Sequence, residues 1–335
     1  VIQYDKGEGK MDLQKLAEEI IKGRRLKRGE DLSFFFTCDL KALSKGANAI
    51  REHFCGNEVD LCTIINGRSG HCPENCKYCA QSAHNHTDCE VYGFLDADTI
   101  VKTALANEKE GADRFAIVTS GRGMEGEDFE KCIAAFKRMH KECKIDLCAS
   151  LGLLNAEQFH RLHEAGVTSY HENIETSKRY FPSICTTHTY DEKIETIKTA
   201  QKEGFCVCSG GIIGMGETWE DRLDMAISLA ELGIESIPIN ALMPIPGTPL
   251  EHMKQLPAED ILRTIAMFRY INPAANIRLA AGRKIMKNNG EEAFLGGASA
   301  TITGNYLTTS GSTIKSDIHM LRSMGFKLNP RAPKL

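Results

Sequence analysis

The chain has 335 residues, 42% of them apolar and 26% charged, with a net charge of −4. That balance describes a globular domain with a large core, and it creates no strong field for nucleic acid or an anionic membrane surface. No apolar run is long enough to span a bilayer. Thirteen cysteines with no export signal point to a reducing compartment, the cytoplasm, where thiols serve as metal ligands or as small buried hydrophobes. Residues 1–10 are set aside as a tag remnant or disordered segment.

In chain order, residues 11–31 show helical periodicity and residues 39–55 a second helix, so residues 11–56 form an N-terminal helical extension. Short β-rich runs then alternate with amphipathic helices over residues 57–328, ahead of a C-terminal tail at 329–335. The predicted strands are Val59–Asn66, Arg114–Thr119, Ile145–Leu151, Ser169–Ile174, Phe205–Ile213, Ser236–Asn240, Ile277–Ala281 and Thr301–Thr303. The predicted helices between them are Thr99–Glu110, Phe129–Cys143, Ala156–Ala165, Asp191–Glu203, Trp219–Leu232 and Ala258–Ile271. Four of these helices run into Gly111, Gly166, Gly204 and Gly233, the residue type that ends a helix in a left-handed turn. Eight strands alternating with helices predict a (β/α)8 TIM-type barrel. An open dinucleotide-binding sheet is disfavoured, because the first strand is followed by NGRSGHC and not by GxGxxG.

That same loop holds Cys72, Cys76 and Cys79 above the first strand, where barrel active sites gather. Three thiolates in a tight loop can bind three corners of a [4Fe–4S] cluster and leave the fourth iron open. Structural zinc on Cys76, Cys79, His84 and His86 is the competing reading, and Cys72 at x3 spacing fits it poorly.

CxxxCxxC with Tyr78 before the last cysteine resembles the radical-SAM superfamily signature. The stretches NGRSGHCPENCKYCAQSA, YHENIETS, TTHTYDEKIETI, VCSGGIIGMGET, ESIPINAL, GTPL, IRLAAGR and YLTT resemble the biotin synthase family, in order, over about residues 40–328. The resemblance implies a [4Fe–4S] cluster, S-adenosylmethionine (SAM), and an auxiliary cluster that donates sulfur to dethiobiotin. It further implies an electron donor such as flavodoxin or ferredoxin, and a homodimer. A hydrogenase-cluster maturase is the nearest rival reading, and a zinc-stabilised binding protein the reading from another class.

By the same resemblance, Tyr78, Asn173, Glu175, Gly210 and Gly211 bind SAM, with the glycines allowing close backbone approach. Glu175 departs from the more usual Asp. Asn173, Asn240, Thr308 and Thr309 bind the substrate. The auxiliary cluster of the family takes three Cys and one Arg. Cys148, Cys208 and Arg278 match, whereas the remaining Cys position holds Ala116. Cys62, where the family commonly has Ser, falls on one face of its strand with Ile64 and Asn66 and is expected to compensate. A second Ser facing this cluster in the family is Ala300 here. The altered set implies either the usual [2Fe–2S] form or a larger four-iron form, with Arg114 and Ser236 in support and Arg278 as ligand or neighbour.

Overall fold

The computed structural model describes residues 11–304 and 311–328. Two helices, α1 (Leu13–Ile21) and α2 (Leu40–Cys55), precede the first strand. The barrel then runs β1 (Asp60–Arg68), α3 (Ala97–Glu110), β2 (Arg114–Thr119), α4 (Gly126–Glu142), β3 (Asp146–Ser150), α5 (Ala156–Glu164), β4 (Ser169–His171), α6 (Tyr190–Lys202) and β5 (Cys206–Cys208). It continues with β6 (Gly211–Ile213), α7 (Trp219–Glu231), β7 (Ser236–Ala241), α8 (Ala258–Ile271), β8 (Asn276–Leu279), α9 (Glu291–Phe294), β9 (Ala300–Ile302) and α10 (Ile314–Ser323). All strand pairings are parallel, in the order β5-β4-β3-β2-β1-β9-β8-β7-β6, and the β5–β7 contact closes the ring. β5 and β6 are two pieces of one predicted strand, so the barrel is the expected eight-stranded one.

The predicted Gly stops operate as expected: Gly111, Gly166, Gly204 and Gly233 all have positive φ. Helix starts are equally explicit. Asn155/Gln158, Thr189/Glu192 and Thr218/Asp221 form capping boxes that satisfy backbone N–H groups at α5, α6 and α7.

Three details differ from expectation. The helix over residues 11–31 stops at Ile21, because Gly23 takes φ +111° and turns the chain. The fifth strand breaks at Ser209-Gly210, where a Cβ on Gly210 would lie 2.0 Å from the Pro238 carbonyl oxygen. The fourth strand ends early, at His171, and its continuation leads to Glu175, a non-glycine residue held at φ +67°. Both irregularities lie at the C-terminal ends of strands and shape the mouth of the barrel.

Candidate active site

Beyond β1, the cysteine loop folds over the barrel mouth. It is pinned by its own backbone: Cys72 N–H donates to Gln81 O and Ala83 N–H to Cys72 O, while Asn85 Nδ2 donates to the carbonyls of Cys76 (3.2 Å) and Cys79 (2.8 Å). With carbonyls tied away, N–H groups turn towards sulfur. Cys72 Sγ accepts from the N–H of Glu74 and Gly121, and Cys79 Sγ from those of Gln81 and Ser82. Burial nevertheless pushes Cys72 and Cys79 up, Cys79 to about 11, and Cys76 is raised chiefly by its hydrogen bond to Cys185 and then by burial. Three sulfurs on one loop that are costly as bare thiolates, two of them met by backbone N–H donors, fit an iron–sulfur cluster.

The zinc set of Cys76, Cys79, His84 and His86 is not brought together by the fold. Among the described residues, three metal-ligating side chains converge within 4.8 Å only at Cys76, Cys185 and His188. His84 and His86 are not part of that group; the His84 ring meets the Pro73 carbonyl instead.

Below the loop lies a cavity of about 360 Å³ that collects most of the candidate residues. Its upper part is lined by Tyr78, Cys79, Asn173, Glu175 and Asn240. The Tyr78 hydroxyl donates to the Glu175 carboxylate, whose pKa burial raises despite Lys193 and this hydrogen bond. Asn173 Oδ1 accepts from Gly210 N–H (3.0 Å) and its amide lies 3.4 Å from Glu175 Oε2. Asn240 bridges β6 and β8: its amide donates to Gly211 O (3.2 Å) and its oxygen accepts from Ala281 N–H (3.2 Å).

Gly210 and Gly211 are also demanded by packing. The space a Cβ would need is filled by Pro238 O at 2.0 Å and Glu175 O at 2.2 Å. Neighbouring strands press on both, so packing alone requires glycine at these two positions. Thr308 and Thr309 lie outside the described residues.

The lower part of the cavity is lined by Cys62, Cys148 and Cys208, with Arg114, Arg278 and Ser236. Cys62 pairs in register with Arg114, and Ile64 with Ala116, so Cys62 sits one strand over and two residues below the missing cysteine. Burial pushes Cys62 up to about 11 against the pull of Arg278 and Arg114, and Cys148 well above its ordinary value. Cys208 is also buried, but His171, Arg278 and Ser236 bring it down to about 7. Cys206 hydrogen-bonds Glu235 and does not line the cavity. Arg114 donates to Ser169, and its Nε is buried without a partner among the described residues. That orphaned donor, beside two thiols, fits a group with acceptor sulfides between them.

Several residues here escaped the sequence reading. Asp60, two residues before Cys62 on β1, pairs with both Arg278 (2.6 Å) and Arg114 (3.7 Å). His171, two residues before Asn173, hydrogen-bonds Cys208 and lines the same cavity. Alternation along each strand is the signal that finds both. Cys185 Sγ lies 3.7 Å from Cys76 Sγ and within reach of His188, which contacts Glu74. Cys76 Sγ donates to Cys185 Sγ, and contacts with Cys76, His188 and Thr187 hold the Cys185 thiol well below its ordinary value against burial.

Comparison with known proteins agrees with this architecture. Residues 68–229 match the model of the radical SAM superfamily, and residues 238–327 that of the biotin and thiamin synthesis associated domain. A biotin synthase of Alkaliphilus metalliredigens is 61% identical over 318 residues, covering 95% of this chain and 100% of that protein. One from Clostridium beijerinckii is 61% identical over 316 residues, covering 94% and 100%. Among solved structures, methylornithine synthase superposes with a TM-score of 0.81 at 20% identity, covering 95% of this chain and 98% of that one. A maturase of the [FeFe]-hydrogenase gives 0.77 at 17%, covering 96% and 76%. At such identities these two structures establish the barrel fold alone.

Proposed function

We infer how the cavity is used from one premise: the chain belongs to the biotin synthase family. It is a radical SAM enzyme of sulfur insertion, working with a [4Fe–4S] cluster, SAM and an auxiliary iron–sulfur cluster. When bound, these groups supply hydrogen-atom abstraction from dethiobiotin and the sulfur that replaces the hydrogen.

The protein's own contribution is holding, orienting and neutralising. Cys72, Cys76 and Cys79 hold the [4Fe–4S] cluster, and their loop N–H groups offset its charge. Tyr78 and Glu175 receive the SAM ribose, Glu175 as an acceptor for hydroxyl donors and Tyr78 as the group that fixes its carboxylate. Asn173, locked by Gly210 N–H, presents its amide between the SAM and dethiobiotin positions. Asn240 offers a fixed amide to the substrate's ureido ring. Thr308 and Thr309 are assigned to its carboxylate end on the family pattern. Ile64, Val118, Ile212, Leu242 and Ile302 give the cavity apolar walls that keep water from reactive intermediates.

Cys62, Cys148 and Cys208 hold the auxiliary cluster, with Arg114 and Arg278 balancing three thiolates in a buried site. The observation that carries this reading is the meeting of three thiols from β1, β3 and β5 in one cavity, directly beneath Tyr78, Asn173 and Glu175. Electrons come from a small one-electron donor such as flavodoxin or ferredoxin, and the working form is a homodimer. Thirteen free cysteines support a cytoplasmic setting. Among the described residues no helix is long and apolar enough to cross a membrane.

The test is anaerobic turnover with dethiobiotin. Biotin and 5′-deoxyadenosine are expected together. SAM cleavage that dethiobiotin does not stimulate would favour a different radical SAM reaction.

A further inference from the structure

Three thiols leave the auxiliary cluster short of one protein ligand if every site is filled, and the family's Arg is not free to supply it. Arg278 Nη2 is paired with Asp60 Oδ1 at 2.6 Å, Nη1 donates to Thr301 O at 3.2 Å and lies 3.5 Å from Asp60 O, and Nε donates to Ser236 Oγ at 3.3 Å. A guanidinium can bind iron only through a nitrogen that has lost its proton. Here every nitrogen is donating to an acceptor, and one of those acceptors is a carboxylate.

The other candidates in the lower cavity are excluded in turn. Ala116 has no donor atom. Arg114 is a cation held by Ser169 and Asp60, and its remaining Nε faces the site as an N–H donor, not as a ligand atom. Ser236 is shared between Cys208 and Arg278. Cys206 is turned to Glu235.

His171 remains. It stands opposite Cys208 in the β4–β5 register, and its imidazole hydrogen-bonds the Cys208 sulfur. The ring lines the cavity two residues below Asn173, on the strand face that carries the SAM and substrate contacts. Imidazole is an established iron ligand in mixed His/Cys clusters. We propose that His171 is a nitrogen ligand of the auxiliary cluster, and that Arg278, locked by Asp60, is its neutralising cation. The proposal rests on the reading that Cys62, Cys148 and Cys208 hold this cluster.

The consequence is chemical. A neutral imidazole in place of a fourth anionic ligand leaves the cluster less negative and easier to reduce.

The experiment uses the full chain with Cys72, Cys76 and Cys79 replaced by Ala, so that only the auxiliary cluster assembles. The cluster is reconstituted anaerobically, reduced by one electron, and examined by pulsed EPR after labelling with ¹⁵N-histidine or, separately, ¹⁵N-arginine. Strong coupling from labelled histidine, lost in His171→Ala, is the expected result. Coupling from labelled arginine instead, no histidine coupling, or histidine coupling that survives His171→Ala overturns the proposal. Adding Cys62→Ala separates the two claims. A signal unchanged by that substitution contradicts the thiol assignment. A signal that requires Cys62 but carries no histidine coupling contradicts His171 alone.

Discussion

Asp60 on β1 and Arg278 on β8 form an ion pair across β9 at the floor of the barrel, with Oδ1 and Nη2 2.6 Å apart. The same carboxylate lies 3.7 Å from Arg114, so one acid partners the two cations that face the lower thiols. Burial works against the charge on Arg278, and Asp60 together with the Cys62 and Cys208 sulfurs more than restores it. Asp60→Asn leaves two cations without their carboxylate, and breaking a buried pair from one side is costly. A loss of about 3 kcal/mol in stability is expected, read by urea denaturation of the cluster-free protein. An unchanged midpoint would show that the pair does not organise the floor.

Glu175 is expected to govern SAM affinity. Removing its charge in Glu175→Gln costs about 1.5–3 kcal/mol of hydrogen bonding to ribose hydroxyls, or about 10- to 150-fold in Kd. Equilibrium dialysis with SAM on the cluster-loaded protein checks this. Tyr78→Phe, which removes only the group fixing the carboxylate, should weaken binding less. Equal affinity of Glu175→Gln and the parent would remove Glu175 from the SAM site.

The N-terminal helices are held to the barrel by a contact that tolerates no added atom. A Cβ on Gly46 of α2 would lie 1.8 Å from the Tyr270 hydroxyl of α8, which donates to Leu13 O at 2.9 Å. Alanine is the better helix former by about 1 kcal/mol, yet the overlap must win. Gly46→Ala should lose about 1–3 kcal/mol on balance. Adding Tyr270→Phe should recover part of that loss, and a double variant no better than the single would show that the hydroxyl is not the obstacle.

Acid stability should depend on Asp221. Its carboxyl is held below the ordinary value: burial opposes this, but Ser177, the Thr218 N–H and Arg179 outweigh it. A depressed folded pKa contributes stability that is full above the unfolded value of about 3.9 and disappears as pH falls through the folded value. Asp221→Asn should therefore be less stable at neutral pH by about 1.5–3 kcal/mol, and the gap to the parent should narrow below about pH 4. A gap that stays constant with pH would rule out this linkage.

Much of this was legible in the chain itself. The βα rhythm is written in Gly111, Gly166, Gly204 and Gly233, whose left-handed turns depend on local chemistry alone. Alternation from Asn66 through Ile64 puts Cys62 on the cavity face, because strand periodicity is also local. The breaks in strands four and five were not legible. They arise where Asn173 captures Gly210 N–H and where Pro238 and Glu175 crowd the two glycines, all contacts between different strands. Cys185 was equally hidden, since its approach to Cys76 joins residues 109 positions apart. Asp60 and His171 share the two-residue spacing that revealed Cys62, but a polar residue on a strand declares its role only when its partner is in view.

The central claim is that Cys62 replaces the thiolate missing at Ala116. Iron and sulfide content with Mössbauer spectra of the parent and of Cys62→Ala, both reconstituted anaerobically, test it most directly. The expected result is loss of the auxiliary cluster's iron and sulfide with the [4Fe–4S] spectrum of the Cys72–Cys76–Cys79 loop retained. A full and unaltered auxiliary cluster in Cys62→Ala would contradict it.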